Sequence, residues 1–254
     1  MHVGLSPARR APAFARCFAA YSERLLRRRF SSVRLMNQGA ALLARADRHV
    51  GPVLLTMNHA SWWDPLVGLV LVSRHLPSRT SIAPMDIEQF QRFRFMKRLG
   101  MFGLDPKHPD ALALLTEHVA EFFRRESRPL VGITPQGAFT DVRRPMCLRP
   151  GAASIAAAHP DALVLVLCVE YTFWEQPRPE ILLHVIECPR PTRESIAAWH
   201  RQLTDAMQSC ADALAERVIA RDAAGFEQLA YGGGTQIHPI YDLLLRWRRG
   251  KRAA

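Results

Sequence analysis

The chain has no apolar run long enough to cross a bilayer. Between Asp64 and Arg74 lie only nine uncharged residues, and Ala162–Val169 is eight, where a spanning helix needs about 20. No secretory signal is evident, because the N-terminal segment keeps its arginines throughout. Cysteine is sparse. The five (Cys17, Cys147, Cys168, Cys188, Cys210) are scattered, odd in number and without a C-x-x-C pair. That argues for a reducing compartment and against a disulfide framework or a zinc site. Cys168 sits in an apolar run and is expected in the core. No Pro/Ser/Gly-rich linker or internal repeat divides the 254 residues, so one main domain is expected. Zinc-finger spacing and aromatic RNP-type motifs are also missing, which argues against nucleic acid as a partner.

Acidic residues are in deficit. Lys and Arg number 34 against 23 Asp and Glu, a net charge of +11, and the isoelectric point is about 10.3. Much of the excess lies at the two ends: Arg9, Arg10, Arg16, Arg24 and Arg27–Arg29 in one segment, Arg246, Arg248, Arg249, Lys251 and Arg252 in the other. Both segments carry apolar residues at helical spacing, Phe14, Cys17, Phe18, Tyr21 and Leu25 in the first and Ile240, Leu243, Leu244 and Trp247 in the second. Basic amphipathic helices suit an anionic membrane surface, where each Lys or Arg contributes ~1 kcal/mol. They equally suit helices packed on a core with a solvated basic face. The organisation expected is a basic amphipathic helix over 1–31, a main domain over 32–221 and a basic tail over 222–254.

Periodicity predicts helices over Pro12–Phe30, Pro65–Arg74, Asp86–Leu99, Pro109–Arg125, Ala152–Ala158 and Thr192–Arg221. Strands are predicted at Ser32–Met36, Val53–Met57, Thr80–Ala83, Met101–Leu104, Leu130–Thr134, Leu163–Val169 and Ile181–Ile186. Alternation of the two implies an α/β fold, a mixed, mostly parallel sheet flanked by helices. Ligands are then expected at the loops that follow strand ends.

One such loop carries Asn58-His59-Ala60-Ser61-Trp62-Trp63-Asp64. A histidine and a carboxylate at this spacing could together take a proton from a hydroxyl. The spacing alone is weak. With 10 His and 11 Asp, chance supplies roughly 0.4 such pairs. A second one, His200…Asp205, lies within the long predicted helix, where positions five apart point ~140° away from each other. It reads as a helix face. His59 and Asp64 differ, because Pro65 starts a helix and disfavours helical geometry before it. The expectation is strand, loop, Asp64 as N-cap, then helix. On these residues alone, a plain helix cap beside a polar loop histidine stays open.

A second segment, Val131 to Asp141, runs from a predicted strand into Pro135-Gln136-Gly137. Such a turn exposes backbone N–H groups able to hold an anion or oxyanion.

Taken together, these blocks resemble the glycerolipid (lysophospholipid) acyltransferases. Asn58-His59-x-Ser61-Trp62-x-Asp64 is similar to that family's Asn-His-x-Ser-x-x-Asp signature. Pro135-Gln136-Gly137 falls where it has Pro-Glu-Gly-Thr-Arg. Leu99–Asp105 is similar to its Gly-x-x-Phe-Ile-x-Arg block, Leu148–Ala153 to the segment before the next helix, and Val164–Val169 to its late strand. The likeness spans roughly 33–190 in the same order. It implies an acyltransferase acting at a membrane, with acyl-CoA or an acyl-carrier thioester as donor substrate and no other cofactor or metal. The location implied is cytoplasmic, peripheral at the inner face of the membrane.

Several positions depart from that pattern. Gln136 replaces the family's Glu, Phe139 and Pro106 fall where it has arginines, and Leu167-Cys168 where it usually has proline. In the family those arginines are thought to grip the acceptor's phosphate, a task suited to a guanidinium. Lys107, Arg143, Arg144 and Arg149 are nearby substitutes. A lysoglycolipid, an amino-acid lipid or the sugar of a glycosylated terpenoid would fit as acceptor equally well.

The roles that follow are His59 as general base and Asp64 as the carboxylate that orients it. Asn58 and Ser61 would shape the loop, and Trp62 and Trp63 would line the acyl entry. Donors near Gly137 would hold the oxyanion, with Pro135 and Gln136 in the same turn. Rival readings are a non-catalytic lipid- or membrane-binding protein on this fold, and a thioesterase.

Overall fold

Consecutive residues of the Val53–Met57 strand go to opposite destinations. Val53, Leu55 and Met57 join one apolar cluster and Leu54 the other, the alternation of a strand covered on both faces. Each fully buried aliphatic side chain contributes roughly 1.5–3 kcal/mol, so both faces must be covered.

A computed structural model describes residues 4–231. Nine strands form one sheet: β1 (Leu5–Ser6), β2 (Ser32–Met36), β3 (Val53–Met57), β4 (Thr80–Asp86), β5 (Met101–Leu104), β6 (Pro129–Ile133), β7 (Leu163–Thr172), β8 (Glu180–Glu187) and β9 (Phe226–Tyr231). Their order is β1-β5-β4-β6-β3-β7-β8-β2-β9. The central strands β5, β4, β6, β3 and β7 run parallel. β8 returns antiparallel to β7, and β1 and β9 pair antiparallel at the edges. The α/β fold with a mixed, mostly parallel sheet is as expected.

Among the described residues eight α-helices flank it: α1 (Pro12–Arg29), α2 (Gly39–Arg48), α3 (Asp64–His75), α4 (Ile87–Arg92), α5 (Met96–Leu99), α6 (Ala111–Arg125), α7 (Gly151–Ala158) and α8 (Ile196–Ile219). Residues of α1, α2 and α3 pack with Leu55, Leu165 and Leu167 on one face, and residues of α6, α7 and α8 with Leu54, Val164 and Val166 on the other.

Several local expectations are revised. The Asp86–Leu99 helix is broken at Phe93–Phe95, and the Asp86 carboxylate caps α4 by accepting from Glu88 and Gln89 N–H. Helix α2 and strands β1 and β9 carry patterns too short or mixed to stand out, and β9 extends the sheet past the boundary expected at 221. Residues 232–254 of the basic tail lie outside the described residues. In α1 the side chains that pack inward are Ala15, Ala19, Ser22 and Leu26. The expected stripe of Phe14, Phe18 and Tyr21 is rotated off the core, and Tyr21 is 58% exposed. His200 does not meet Asp205; its Nε2 lies 3.0 Å from the Leu148 carbonyl. Among the described residues no helix is long and apolar enough to cross a membrane.

Candidate active site

Because β3 lies between β6 and β7 and runs parallel to both, their C-terminal ends share one edge of the sheet. The loops after β3 and β6 therefore meet there. The His59 amide donates to Gln136 Oε1 at 2.6 Å, and the Thr140 amide donates to the His59 carbonyl at 2.7 Å. Both backbone polar groups of His59 are thus held by the 134–140 loop. On the other side, Asn58 extends the ladder. Its Oδ1 accepts from Val169 N–H at 2.7 Å and its Nδ2 donates to Val169 O at 3.0 Å. The carboxamide substitutes for a strand residue at the point where β3 stops, which satisfies two buried backbone groups.

Inside this frame His59 Nδ1 lies 2.9 Å from Asp64 Oδ2. A carboxylate accepts only, so the neutral ring carries its proton on Nδ1 and leaves Nε2 bare. The imidazole is 19% exposed and the Asp64 side chain fully buried. Asp64 is not the helix cap expected from the sequence. Trp63 holds that position, and the Asp64 carboxylate bonds no amide within α3. The helix begins one residue early, so the side chain turns back into the loop. There Oδ2 also accepts from Ser61 N–H at 2.9 Å, and Oδ1 accepts from the Tyr171 hydroxyl at 2.6 Å. Three donors and the positive end of α3 offset the several kcal/mol cost of burying the charge. Ser61 Oγ in turn accepts from Trp63 N–H at 3.3 Å.

The aromatic neighbours divide. Trp63 packs edge-on against Phe30, centroids 5.1 Å apart, while Trp62 is 57% exposed. Trp62 starts a band of rings that runs through Phe93 (5.7 Å), Phe95 (6.5 Å), Phe18 (5.4 Å) and Tyr21 (5.8 Å). Arg92 lies over Phe93 and Arg98 over Phe14. Phe139, 58% exposed, rests on the imidazole with ring centroids 4.4 Å apart.

The turn after β6 differs from expectation in one respect. Gly137 N–H is not free for an oxyanion, because it donates to Thr134 O at 3.0 Å and closes the turn. Its φ of +69° suits glycine. A Cβ there would strike the Arg149 guanidinium at 2.5–2.8 Å. Pro135 is buried, and its carbonyl accepts from Arg149 N–H at 2.7 Å. Arg149 is therefore the cation that touches the turn. Arg143 is not brought to the pair: it is bound to Asp141 at 2.6 and 2.8 Å in solvent. Lys107 is exposed after β5, three strands or roughly 14 Å from β3 at usual strand spacing. The contacts of Tyr171 and Phe139 were not legible in sequence. Tyr171 lies 107 residues from Asp64, near the end of a mostly apolar strand. Among the described residues no group of three His, Cys, Asp or Glu side chains could hold a metal ion.

A loop histidine held by a buried carboxylate at the C-terminal edge of a parallel sheet is an arrangement able to take a proton from a hydroxyl. Comparison with known proteins narrows it. The family model described as Acyltransferase matches residues 41–170, just over half the chain. The chain belongs to the acyltransferase family and is an O-acyltransferase, as the motif resemblance implied. Among solved structures it is similar to the 1-acyl-sn-glycerophosphate (LPA) acyltransferase PlsC of Thermotoga maritima. That match has a TM-score of 0.53 and 14% identity, and covers 79% of each chain. At that identity it bears on the fold. No curated protein matches.

Proposed function

We propose that the protein moves a fatty acyl group from an acyl-CoA or acyl-carrier thioester to a lipid hydroxyl at an anionic membrane surface. The observation that carries the reading is the 2.9 Å contact between His59 Nδ1 and the buried Asp64 carboxylate. It leaves Nε2 as the base. Nε2 takes the acceptor's hydroxyl proton as that oxygen attacks the thioester carbonyl, a contribution of roughly 10²–10⁴ in rate. The C–S bond then breaks, and the proton passes from Nε2 to the departing thiolate. Asp64 balances the imidazolium in between. The Ala138 and Phe139 amides, which donate to no acceptor among the described residues, are the oxyanion donors in this scheme.

The acceptor follows from Phe139. A ring on the imidazole favours a hydroxyl with neutral or apolar surroundings, and Arg149 at the Pro135–Gly137 turn is the cation seen beside it. The solved relative's printed acceptor class, an acyl-glycerophosphate, is therefore less favoured than a glycolipid-like or amino-acid lipid acceptor. The ring band from Trp62 to Tyr21 supports membrane action. Exposed aromatics mixed with arginine suit a bilayer interface with anionic lipid.

The test is purified protein with acyl-CoA, acyl-carrier thioester and a panel of lyso-lipids. His59→Ala and Asp64→Asn should each lose at least about a hundredfold of the transfer rate. Full transfer by His59→Ala would refute the mechanism. Free fatty acid without an acylated acceptor would identify a thioesterase instead, and no turnover at all a binding protein. Preference for lysophosphatidate over uncharged acceptors would overturn the acceptor assignment.

A further inference from the structure

We propose that Tyr171 is a third, positioning member of the His59–Asp64 pair, holding the carboxylate in the rotamer that receives His59 Nδ1–H and sharing its charge. The inference rests on the reading of His59 as base.

The geometry is specific. β7 is longer than β3: its pairing with β3 ends at Met57↔Leu167, and the strand continues to Thr172. This overhang carries Tyr171 beyond the mouth of β3, on the same face as Leu165, Leu167 and Val169. That face is the one covered by α1 and α3, where Asp64 begins α3. The Tyr171 ring is fixed from below by Phe30, centroids 5.8 Å apart. Its hydroxyl meets Oδ1 at 2.6 Å, while Oδ2 serves Ser61 N–H and His59. With both oxygens bound, the carboxylate cannot rotate without losing a charge-assisted hydrogen bond. Burial first, and then the Asp64 charge, raise the Tyr171 hydroxyl well above its ordinary range, so it remains a donor throughout the working pH.

Charge sharing follows from the same contact. A donor on Oδ1 withdraws electron density from the carboxylate and weakens its hold on the imidazolium. Removing that donor strengthens the hold and makes Nε2 more basic. Among the described residues no other charged side chain bonds to the carboxylate. The loop after β3 contributes His59, the loop after β6 contributes uncharged Gln136 and Phe139, and Phe30 and Trp63 are apolar. Glu170 precedes Tyr171, and alternation along β7 directs it to the opposite face.

Tyr171→Phe keeps the ring and deletes the donor. The expected result is a kcat about tenfold lower, in keeping with the loss of an outer partner of a reacting group. The acceptor KM should stay within about twofold, and the acid limb of the rate profile should move to higher pH by about half a unit. NMR titration of the His59 imidazole in resting protein should move the same way. In an Asp64→Asn background, Tyr171→Phe should change the residual rate little. A wild-type rate and profile, or an equal fold-loss in the Asp64→Asn background, would overturn the inference. Should Tyr171→Phe fail to fold, Tyr171→3-fluorotyrosine keeps the shape and strengthens the donor. The His59 titration should then move to lower pH, and an unmoved one overturns the inference. The titration needs no turnover, so failure here is distinct from failure of the acyl-transfer reading, which His59→Ala decides.

Discussion

Gln136 Oε1 accepts the His59 amide N–H at 2.6 Å, tying two loops that are 77 residues apart in the chain. The bond works through the backbone of His59 and leaves the imidazole free. It needs an oxygen acceptor at position 136 and makes no use of the Gln136 amide protons. Gln136→Glu should therefore keep the loop joined, with a transfer rate within about threefold of wild type. Gln136→Leu should lose roughly ten- to a hundredfold, because a base displaced by about 1 Å is poorly aligned. Steady-state rates of the two variants check this; equal losses would mean that the bond is incidental.

The rotation of α1 has a consequence for membrane binding. Its small residues Ala15, Ala19 and Ser22 face the protein, and its aromatics join Phe95 and Trp62 outside. Tyr21→Ser with Phe95→Ser should weaken binding to anionic vesicles by roughly tenfold, the scale expected from partial burial of two rings. Transfer to a detergent-dispersed acceptor should be unchanged. Flotation with anionic and with zwitterionic vesicles at two salt concentrations reads both terms, since charge attraction is screened by salt and ring insertion is not. Binding by the double variant equal to wild type would remove the band from the membrane face.

Acid should destabilise the protein through histidines away from the site. Burial holds the His75, His118 and His159 imidazoles below their ordinary range. His118 lies against Phe102 and His159 against Phe123. With the folded pKa lowered, the unfolded chain binds protons first. The contribution to stability is complete above the unfolded value of about 6.5. It is lost as pH falls from there toward the folded values. Urea midpoints at neutral and mildly acidic pH should show the fall. His118→Leu should flatten it, and an unchanged slope would assign the acid sensitivity to other groups.

How much of this was readable beforehand depends on the range of each interaction. The alternation of strands and helices between 32 and 221 rests on local periodicity, and it predicted the central strands to within a few residues. The Asn58–Asp64 loop was readable because Pro65 and the apolar run before it mark its ends. The single helix expected over Asp86–Leu99 failed at Phe93–Phe95, where ring contacts with Trp62 and Phe18 override helical propensity. The cap assigned to Asp64 failed for a related reason. A cap is judged from neighbours in sequence, and this carboxylate's partners include a tyrosine from another strand.

By itself, then, the sequence determined an α/β chain of the acyltransferase kind. It also identified His59 and Asp64 as the pair to test, because periodicity and the ordered motifs are properties of short segments. Tertiary structure decided which groups meet them. Parallel pairing of β3 with β6 and β7 brought Gln136, Phe139 and Tyr171 to one edge. It left Lys107 three strands away from the pair. Those outcomes depend on strand order and strand length across the sheet, which no local spacing encodes.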